Sequence, residues 1–509
     1  DYKGLPPVIP FEERFRLVQA LRCVDLAVKQ TVLTEIAQLQ QYDVDIVTIG
    51  DDWKEKHLDG LEWMKAQPGK EVVYLKYTPG VSTTKIKKKI IQNSYAIINS
   101  ELSREIQHME NWKQKQKRKG SWVTADSGEP LVKWMSRIMW MLSALLPKRN
   151  TAAVHTWPSY DDTAQALIPE LEKSRLDKIY YLAAADIVAG SAPTWGPKVV
   201  VLPKRSLRAA WVFLTSRWVF WTHQCYTSWF PHRVESVNLW HGMLIKKLGW
   251  MSAKQVNLPH SKYDLATSEF WEPFVRQCMR PWGKVLVNGL PRHDRFSSLE
   301  PVEVRRRLGG AAPNCRKLVT WMPTYRRSVR GEHFVDGTDY NNAAQMPGFD
   351  PELFNDWLAA HQMVCVLKPH PLGAPPQIRT TGHLLVMDDA TLAAHGLTLY
   401  ELLGGTDILI TDISSVYIDF LILNRPIIHA FADREEYGAS RGFLFDWDEE
   451  YFAGPFVSDM NGIQRALEEI ADGRDEYIAQ RSRLRSLFHA NPEQPATPAL
   501  LAQLGLTRE

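Results

Sequence analysis

The sequence predicts an α/β protein with two tandem doubly wound domains behind a smaller α/β module, and three observations carry that expectation. Short runs rich in Val, Ile and Leu recur between helical patterns, as expected of parallel strands buried on both faces. At 509 residues, 45% hydrophobic and 23% charged, the chain is long and apolar enough for about three cores. Several of the runs end in polar or glycine-bearing turns, where open α/β sheets hold their ligands.

Composition narrows the function classes. Lys and Arg number 61 against 58 Asp and Glu, a net charge of +3, so no strongly basic character marks a nucleic-acid binder. The five cysteines lie far apart without a CxxC pair, which argues against a disulfide framework or a zinc site and fits a reducing cytoplasm. No signal-peptide pattern opens the chain, and no uncharged run reaches the ~20 residues of a membrane span.

Residues 1–97 read as a partial α/β module. "PFEERFRLVQALRCV" is helical, "VDIVTIG" (44–50) a buried strand, "EVVYL" (71–75) a second strand and "TTKIKKKIIQNSY" a helix. The turn before that last helix sets Ser82, Thr83 and Thr84 at a helix start, an arrangement that holds phosphate. Residues 98–150 begin as a polar, charged linker and then become "LVKWMSRIMWMLSALLPKR" (131–149). That segment carries Trp134, Trp140, Lys133 and Arg137, and fits either a helix lying in a bilayer interface or a buried interdomain helix.

Two domains follow, at 151–300 and 301–509. The first takes its strands from "KIYYLAA" (178–184), "KVVVL" (198–202), "WVFWTH" (218–223), "SVNLWHG" (236–242), "DLATS" (264–268) and "KVLVNG" (284–289). The second takes them from "KLVTWMP" (317–323), "MVCVLKPHP" (363–371), "HLLVMD" (383–388), "DILITD" (407–412) and "PIIHAF" (426–431). Ligands are expected in the crevice at the carboxyl ends of these strands.

Three strand ends carry chemistry. "LWHGMLIKKLGW" places His241 and Gly242 just after a strand, with Lys246 following; a histidine there serves as a general base near neutral pH. "VLKPHP" sets Lys368 and His370 at another strand end. "DILITDISSVYIDF" passes through Asp412, Ser414 and Ser415 into a helix, and two hydroxyls with backbone amides there suit a phosphate. Each turn alone also fits an ordinary N-cap or a hydrogen-bonded structural histidine; their convergence on one cleft is what points to a site. No carboxylate pair stands at metal-ligand spacing. Asp51–Asp52 and Asp161–Asp162 are compatible with a loosely held magnesium, although a helix N-cap is the favoured reading of Asp161–Asp162.

Residues 151 to about 480 resemble the CDP-glycerol glycerophosphotransferase family, which makes teichoic acids and related capsule polymers. The resemblance rests on "WPSYDD" (157–162), "WHGMLIKKLG" (240–249), "ATSEFW" (266–271), "NGLPRHDRF" (288–296), "PTYR" (323–326), "LKPHP" (367–371) and "TDISSVYIDF" (411–420). It implies a GT-B fold whose two Rossmann-like domains close over a CDP-polyol. It also implies transfer of glycerol phosphate to a hydroxyl of a lipid-linked or oligomeric acceptor, with release of CMP. By motif, His241 is the base and His370 serves the donor diphosphate. The donor side is expected to include Lys368, Arg326, Thr411, Asp412, Ser414, Ser415 and Asp419; the acceptor side, Asp161, Asp162, Gly242 and Lys246. Met243 departs from the family, which usually has threonine there. No cofactor is required by this scheme, and the protein is expected on the inner face of the bacterial cell membrane, with oligomers compatible.

Residues 11–90 resemble the back half of glycerol-3-phosphate cytidylyltransferases, through "PFEERFRLVQAL", "DVDIVTIGDDW" (43–53) and "TPGVSTTKIKKKI". The family's histidine-bearing GxFDxxHxGH element has no counterpart here, and Tyr77 stands where the family has an arginine. Ser82, Thr83 and Thr84 thus read as a vestigial or half nucleotide site. The alternatives to glycerol-phosphate transfer are ribitol-phosphate transfer from CDP-ribitol, cytidylyl transfer if the missing half precedes this chain, and a non-catalytic membrane scaffold.

Overall fold

The computed structural model describes residues 11–20, 24–29, 34–54, 56–76, 130–184, 194–223, 225–227, 229–246, 249–251, 258–326, 337–370, 382–441, 443–444 and 449–508. Ser82, Thr83, Thr84, Tyr77 and the helix expected after them lie outside the described residues, as do the linker before residue 130 and the side chains of Lys133 and Trp134. The chain divides into two compact units, Asp1–Ser121 and Trp122–Glu509.

In the first unit, β1 (Ile46–Gly50) pairs in parallel with β2 (Glu71–Leu75), and helices run from Phe11 to Gln19 and from Asp59 to Ala66. The expectation of a buried first strand is corrected: Ile46 is 55% exposed. A two-stranded pair has few neighbours to cover it, and only Leu39, Leu61 and Met64 among the unit's described apolar side chains are buried.

The second unit holds two parallel sheets. The first contains β3 (Arg149–His155), β4 (Lys178–Ala183), β5 (Val199–Pro203), β6 (Ser216–Trp221), β7 (Glu235–Asn238), β8 (Tyr263–Ala266) and β9 (Lys284–Val287), in the order β5-β4-β3-β6-β7-β8-β9. The second contains β10 (Lys317–Met322), β11 (Met363–Leu367), β12 (Leu384–Val386), β13 (Ile408–Thr411), β14 (Ile427–Ala430) and β15 (Phe456–Val457), in the order β12-β11-β10-β13-β14-β15. In each sheet the chain winds outward, returns to the middle and winds the other way. The switch points therefore fall between β3 and β6 and between β10 and β13, the places where doubly wound sheets open a crevice.

The strand β3 was not expected, because residues 149–150 read as the tail of the amphipathic segment. The helix instead runs Pro130–Leu145 and the strand starts at Arg149. That helix lies beside the helix Leu207–Thr215, and Lys148 ties the two together by donating to the Ser143 hydroxyl at 2.9 Å and to the Leu214 carbonyl at 2.5 Å. No helix among the described residues is long and apolar enough to cross a membrane.

The expected domain boundary at 301–509 also needs correction, since the last helices, Ile478–Phe488 and Ala496–Gln503, return to the first domain. Thr267 and Ser268, just beyond β8, donate to the carbonyls of Phe488 and Leu487 at 2.7 and 2.8 Å. The Asp294 carboxylate accepts from the amides of Ala496 and Thr497 at 2.6 and 2.8 Å, capping the last helix from the other domain. One continuous apolar core consequently includes Val154 and Leu265 of the first sheet, Leu409 of the second, and Phe488 and Leu500.

Candidate active site

The turn after β7 carries His241. Trp240 has a φ of 44° and Gly242 a φ of 140°, both outside the range comfortable for L side chains, so the turn is strained where the histidine sits. The Trp240 amide is held by the Asn238 side chain at 3.0 Å. His241 remains exposed on the cleft and packs against two rings: His223 is stacked on it at 4.0 Å and nearly parallel at 6°, and Trp240 lies tilted by 35° at 4.1 Å. Enclosure by the surrounding protein, followed by the nearby His223 and Arg292, holds its imidazolium form well below the ordinary histidine range; a bond to the Thr222 backbone opposes this, and His370 reinforces it. At neutral pH the ring is a neutral proton acceptor.

Gly242 explains how the two domains meet here. A Cβ at this position would collide with the Ser415 side chain and lie 3.1 Å from the Arg292 guanidinium. Only a glycine lets the first domain's turn touch the start of the second domain's helix Ser415–Phe420. A few residues on, Ile245 accepts from the Leu444 amide at 3.0 Å and Lys246 bridges Phe443 through the backbone. The cleft therefore closes with the turn that carries His241 against the Ser415 end of the helix Ser415–Phe420.

His370, after β11, packs its ring at 4.6 Å from Tyr325. Burial, then Lys246 and Lys368, push its pKa down to about 4. Asp419 sits beneath the contact, fully buried, accepting from Arg292 at 2.5 Å, from His293 at 2.9 Å and from Tyr400. Burial alone would raise its pKa, but Arg292 and His293 hold it well below the usual carboxylate range.

Residues 135–496 match the model of the family described as CDP-glycerol:poly(glycerophosphate) glycerophosphotransferase. The chain belongs to that family. A teichoic acid glycerol-phosphate transferase from Staphylococcus aureus is 26% identical over 276 residues, 49% of this chain and 66% of that protein. The wall teichoic acid polymerase TagF superposes with a TM-score of 0.58 at 16% identity, over 80% of this chain and 97% of that one. The fold is thus of the two-domain GT-B type. A glycerol-3-phosphate cytidylyltransferase from Staphylococcus aureus is 32% identical over 81 residues, 16% of this chain and 57% of that protein.

Within this member of the family, several residues expected at the donor are turned inward. Arg326 is 1% exposed and engages Asp433 through two bonds of 2.6 and 2.7 Å and Asp412 through one of 2.9 Å. Asp412 is saturated by Arg326 and by the Thr324 amide and hydroxyl. Thr411 gives its hydroxyl to the Met322 carbonyl at 2.7 Å, and Lys368 pairs with Asp389 at 2.8 Å. Arg326, Thr411, Asp412, Lys368 and Asp419 are therefore engaged by the protein's own groups and shape the cleft's walls.

The acceptor-side expectations shift too. Asp162 is 7% exposed and accepts from the Tyr400 amide at 3.3 Å, so it is a strut between domains, with burial raising its pKa to about 7. Asp161 caps its helix through the Ala164 amide at 2.9 Å, and burial raises it to about 6. Lys246 faces the second domain, its ammonium 5.0 Å from the Tyr437 ring and electrostatically felt by His370 and Asp412. Gly242 serves the contact between domains. Sequence reasoning missed His223 and Arg292, although "WTH" and "PRHD" both put a basic residue just beyond a strand. Among the described residues no group of three or more His, Cys, Asp or Glu is arranged to hold a metal ion.

Proposed function

We propose that the protein transfers glycerol phosphate from CDP-glycerol to a hydroxyl of a polymeric or membrane-linked acceptor, releasing CMP. The observation that supports this is the meeting of the two domains at Gly242, which brings Ser415 against the turn carrying the neutral, exposed His241 and leaves His370 within its electrostatic reach. The acceptor oxygen attacks the donor's β-phosphorus while its proton passes to His241. The bond from that phosphorus to the bridging oxygen breaks, and the departing CMP phosphate is met by Ser414, Ser415, His370 and Lys246. Arg292, held by Asp419, adds fixed positive charge beside the reacting phosphoryl group. With radiolabelled CDP-glycerol and a primed acceptor, CMP release that depends on acceptor supports this reading. Pyrophosphate release from CTP and glycerol 3-phosphate, without CMP release, overturns it, and faster turnover of CDP-ribitol reassigns the polyol.

The acceptor's membrane link has a matching surface. Leu145 is 79% exposed and Leu207, on the neighbouring helix, 92%, with Met141, Leu142 and Trp211 also outward and Arg205 and Arg208 exposed between them. Apolar groups ringed by cations suit the interface of an anionic bilayer, so we place this face on the membrane. A Leu145→Glu, Leu207→Glu variant that folds and still pellets fully with anionic vesicles removes this assignment.

A further inference from the structure

The first sheet's switch point holds a second group of basic side chains that the transfer scheme does not use. His155 ends β3 and His223 follows β6, the two strands of the switch point, while Lys204 follows the edge strand β5 and reaches over towards them. The Lys204 ammonium reaches across to the Thr156 carbonyl at 2.7 Å and, among the described residues, has no carboxylate within ion-pair distance. The Trp157 ring, one residue further, meets the His223 ring edge-on at 5.0 Å, and the Trp157 amide is held by the Thr222 hydroxyl at 3.1 Å. His223 spends one ring nitrogen on that same hydroxyl at 3.0 Å and stacks its face on His241. His155 keeps a buried Nδ1 with no hydrogen-bond partner. The strip thus runs from Lys204 to the proposed base, with one ring nitrogen of His155 left without a partner along it.

Its charge is unbalanced in a telling way. Burial, then Lys204 and His223, depress His155 to about 3; burial, then Arg292 and Lys204, depress His223 to about 4. The two histidines are disfavoured as cations by the neighbouring bases, while Lys204 and Arg292 are both supported by the Asp161 carboxylate. At neutral pH the two imidazoles are uncharged and Lys204 carries the strip's positive charge, which a phosphodiester matches with one negative charge and two acceptor oxygens.

We propose that Lys204, His155 and His223 form an acceptor subsite that holds the phosphodiester of a chain whose terminal hydroxyl faces His241. The inference rests on the transfer reading and adds to it: the protein prefers an acceptor already ending in a glycerol phosphodiester. Lys204 supplies the charge, and the stack of His223 on His241 fixes how far that phosphodiester lies from the base.

The test compares two soluble acceptors with CDP-glycerol as donor: glycerophosphoglycerol, whose glycerols are joined by a phosphodiester, and diglycerol, whose glycerols are joined by an ether. The wild-type protein should favour the diester in kcat/KM by about tenfold or more, the size of one charge-assisted hydrogen bond. Lys204→Met should collapse that preference and Lys204→Arg should keep most of it. Equal efficiency on both acceptors, or a folded Lys204→Met variant with the preference intact, overturns the subsite and leaves glycerol-phosphate transfer standing. Calorimetric titration with glycerophosphoglycerol alone separates the two ideas from the other side. Binding lost in Lys204→Met, with no CMP released by any acceptor, keeps the subsite and sinks the transfer reading, whereas equal binding to both proteins sinks the subsite.

Discussion

The two walls of the cleft use similar residues in opposite ways. On the second domain, Asp412, Arg326 and Asp433 around the β10–β13 switch point satisfy one another completely, and Asp419 is locked by Arg292, His293 and Tyr400. On the first domain, His155 keeps a buried ring nitrogen without a partner, and Lys204 keeps no counter-ion among the described residues. A closed network fixes geometry, which suits a rigid cradle for a diphosphate. An open set of bases responds to what enters, which suits proton transfer and a variable acceptor.

Substitutions on each wall sharpen this contrast. The largest effect belongs to His241→Ala, which should lower kcat about 10²–10⁴-fold while CDP-glycerol affinity stays within a few-fold. Turnover near that of wild type would remove His241 from the mechanism. Gly242→Ala comes next. Its backbone angle and the collision with Ser415 force the domains apart, and a displacement of this kind should reduce kcat/KM about 10²-fold in a protein that still melts cooperatively. His370→Ala, on the closed wall, should weaken donor binding as well as turnover, each by about tenfold, and calorimetry beside kinetics reads the joint loss. Loss of turnover with donor affinity intact would move His370 off the donor.

The smallest effect concerns pH and Asp264, in β8, whose two oxygens are buried without partners. Burial raises its folded-state pKa to about 7, so the native state favours the neutral acid. Its contribution to stability is full below the unfolded value of about 3.9 and is lost as pH rises towards 7. Asp419, held low by Arg292 and His293, works in the opposite sense and gives stability that is lost as pH falls. Asp264→Asn should therefore gain a few degrees in Tm relative to wild type between pH 5 and pH 8. A difference that does not change with pH would show that Asp264 is ionised throughout.

Most of the architecture was legible because strands buried on both faces must be apolar runs, as "KIYYLA" in β4 and "ILIT" in β13 are. Two strands escaped that reading: β15, only Phe456–Val457 long, and β3, which reads "RNTAAVH" in the interior of its sheet. Its Ala152 and Ala153 are fully buried, so small side chains were selected by the closeness of the covering layers, which outweighs their poor strand preference. The site was legible as strand-end motifs around His241, His370 and Ser415. What the letters could not convey was which polar side chains are already spent. Arg326 meets Asp433 across 107 positions and Arg292 meets Asp419 across 127, and nothing local distinguishes such pairs from residues awaiting a substrate.

The return of the last helices has a consequence for how the protein is made. The first sheet ends at Val287, yet the helix Ala496–Gln503, capped by Asp294 and packed on the same core, leaves the ribosome about 200 residues later. At ~5–20 residues per second, the first domain waits roughly 10–40 s for the piece that closes it, with the apolar surface around Leu290 and Phe296 uncovered meanwhile. The second domain, whose own core around Trp321, Phe354 and Ile410 is assembled from residues 319–467, can finish before the first. Synthesis therefore runs against domain order: the half that emerges early is completed last, and shielding it in the interval is work for a chaperone.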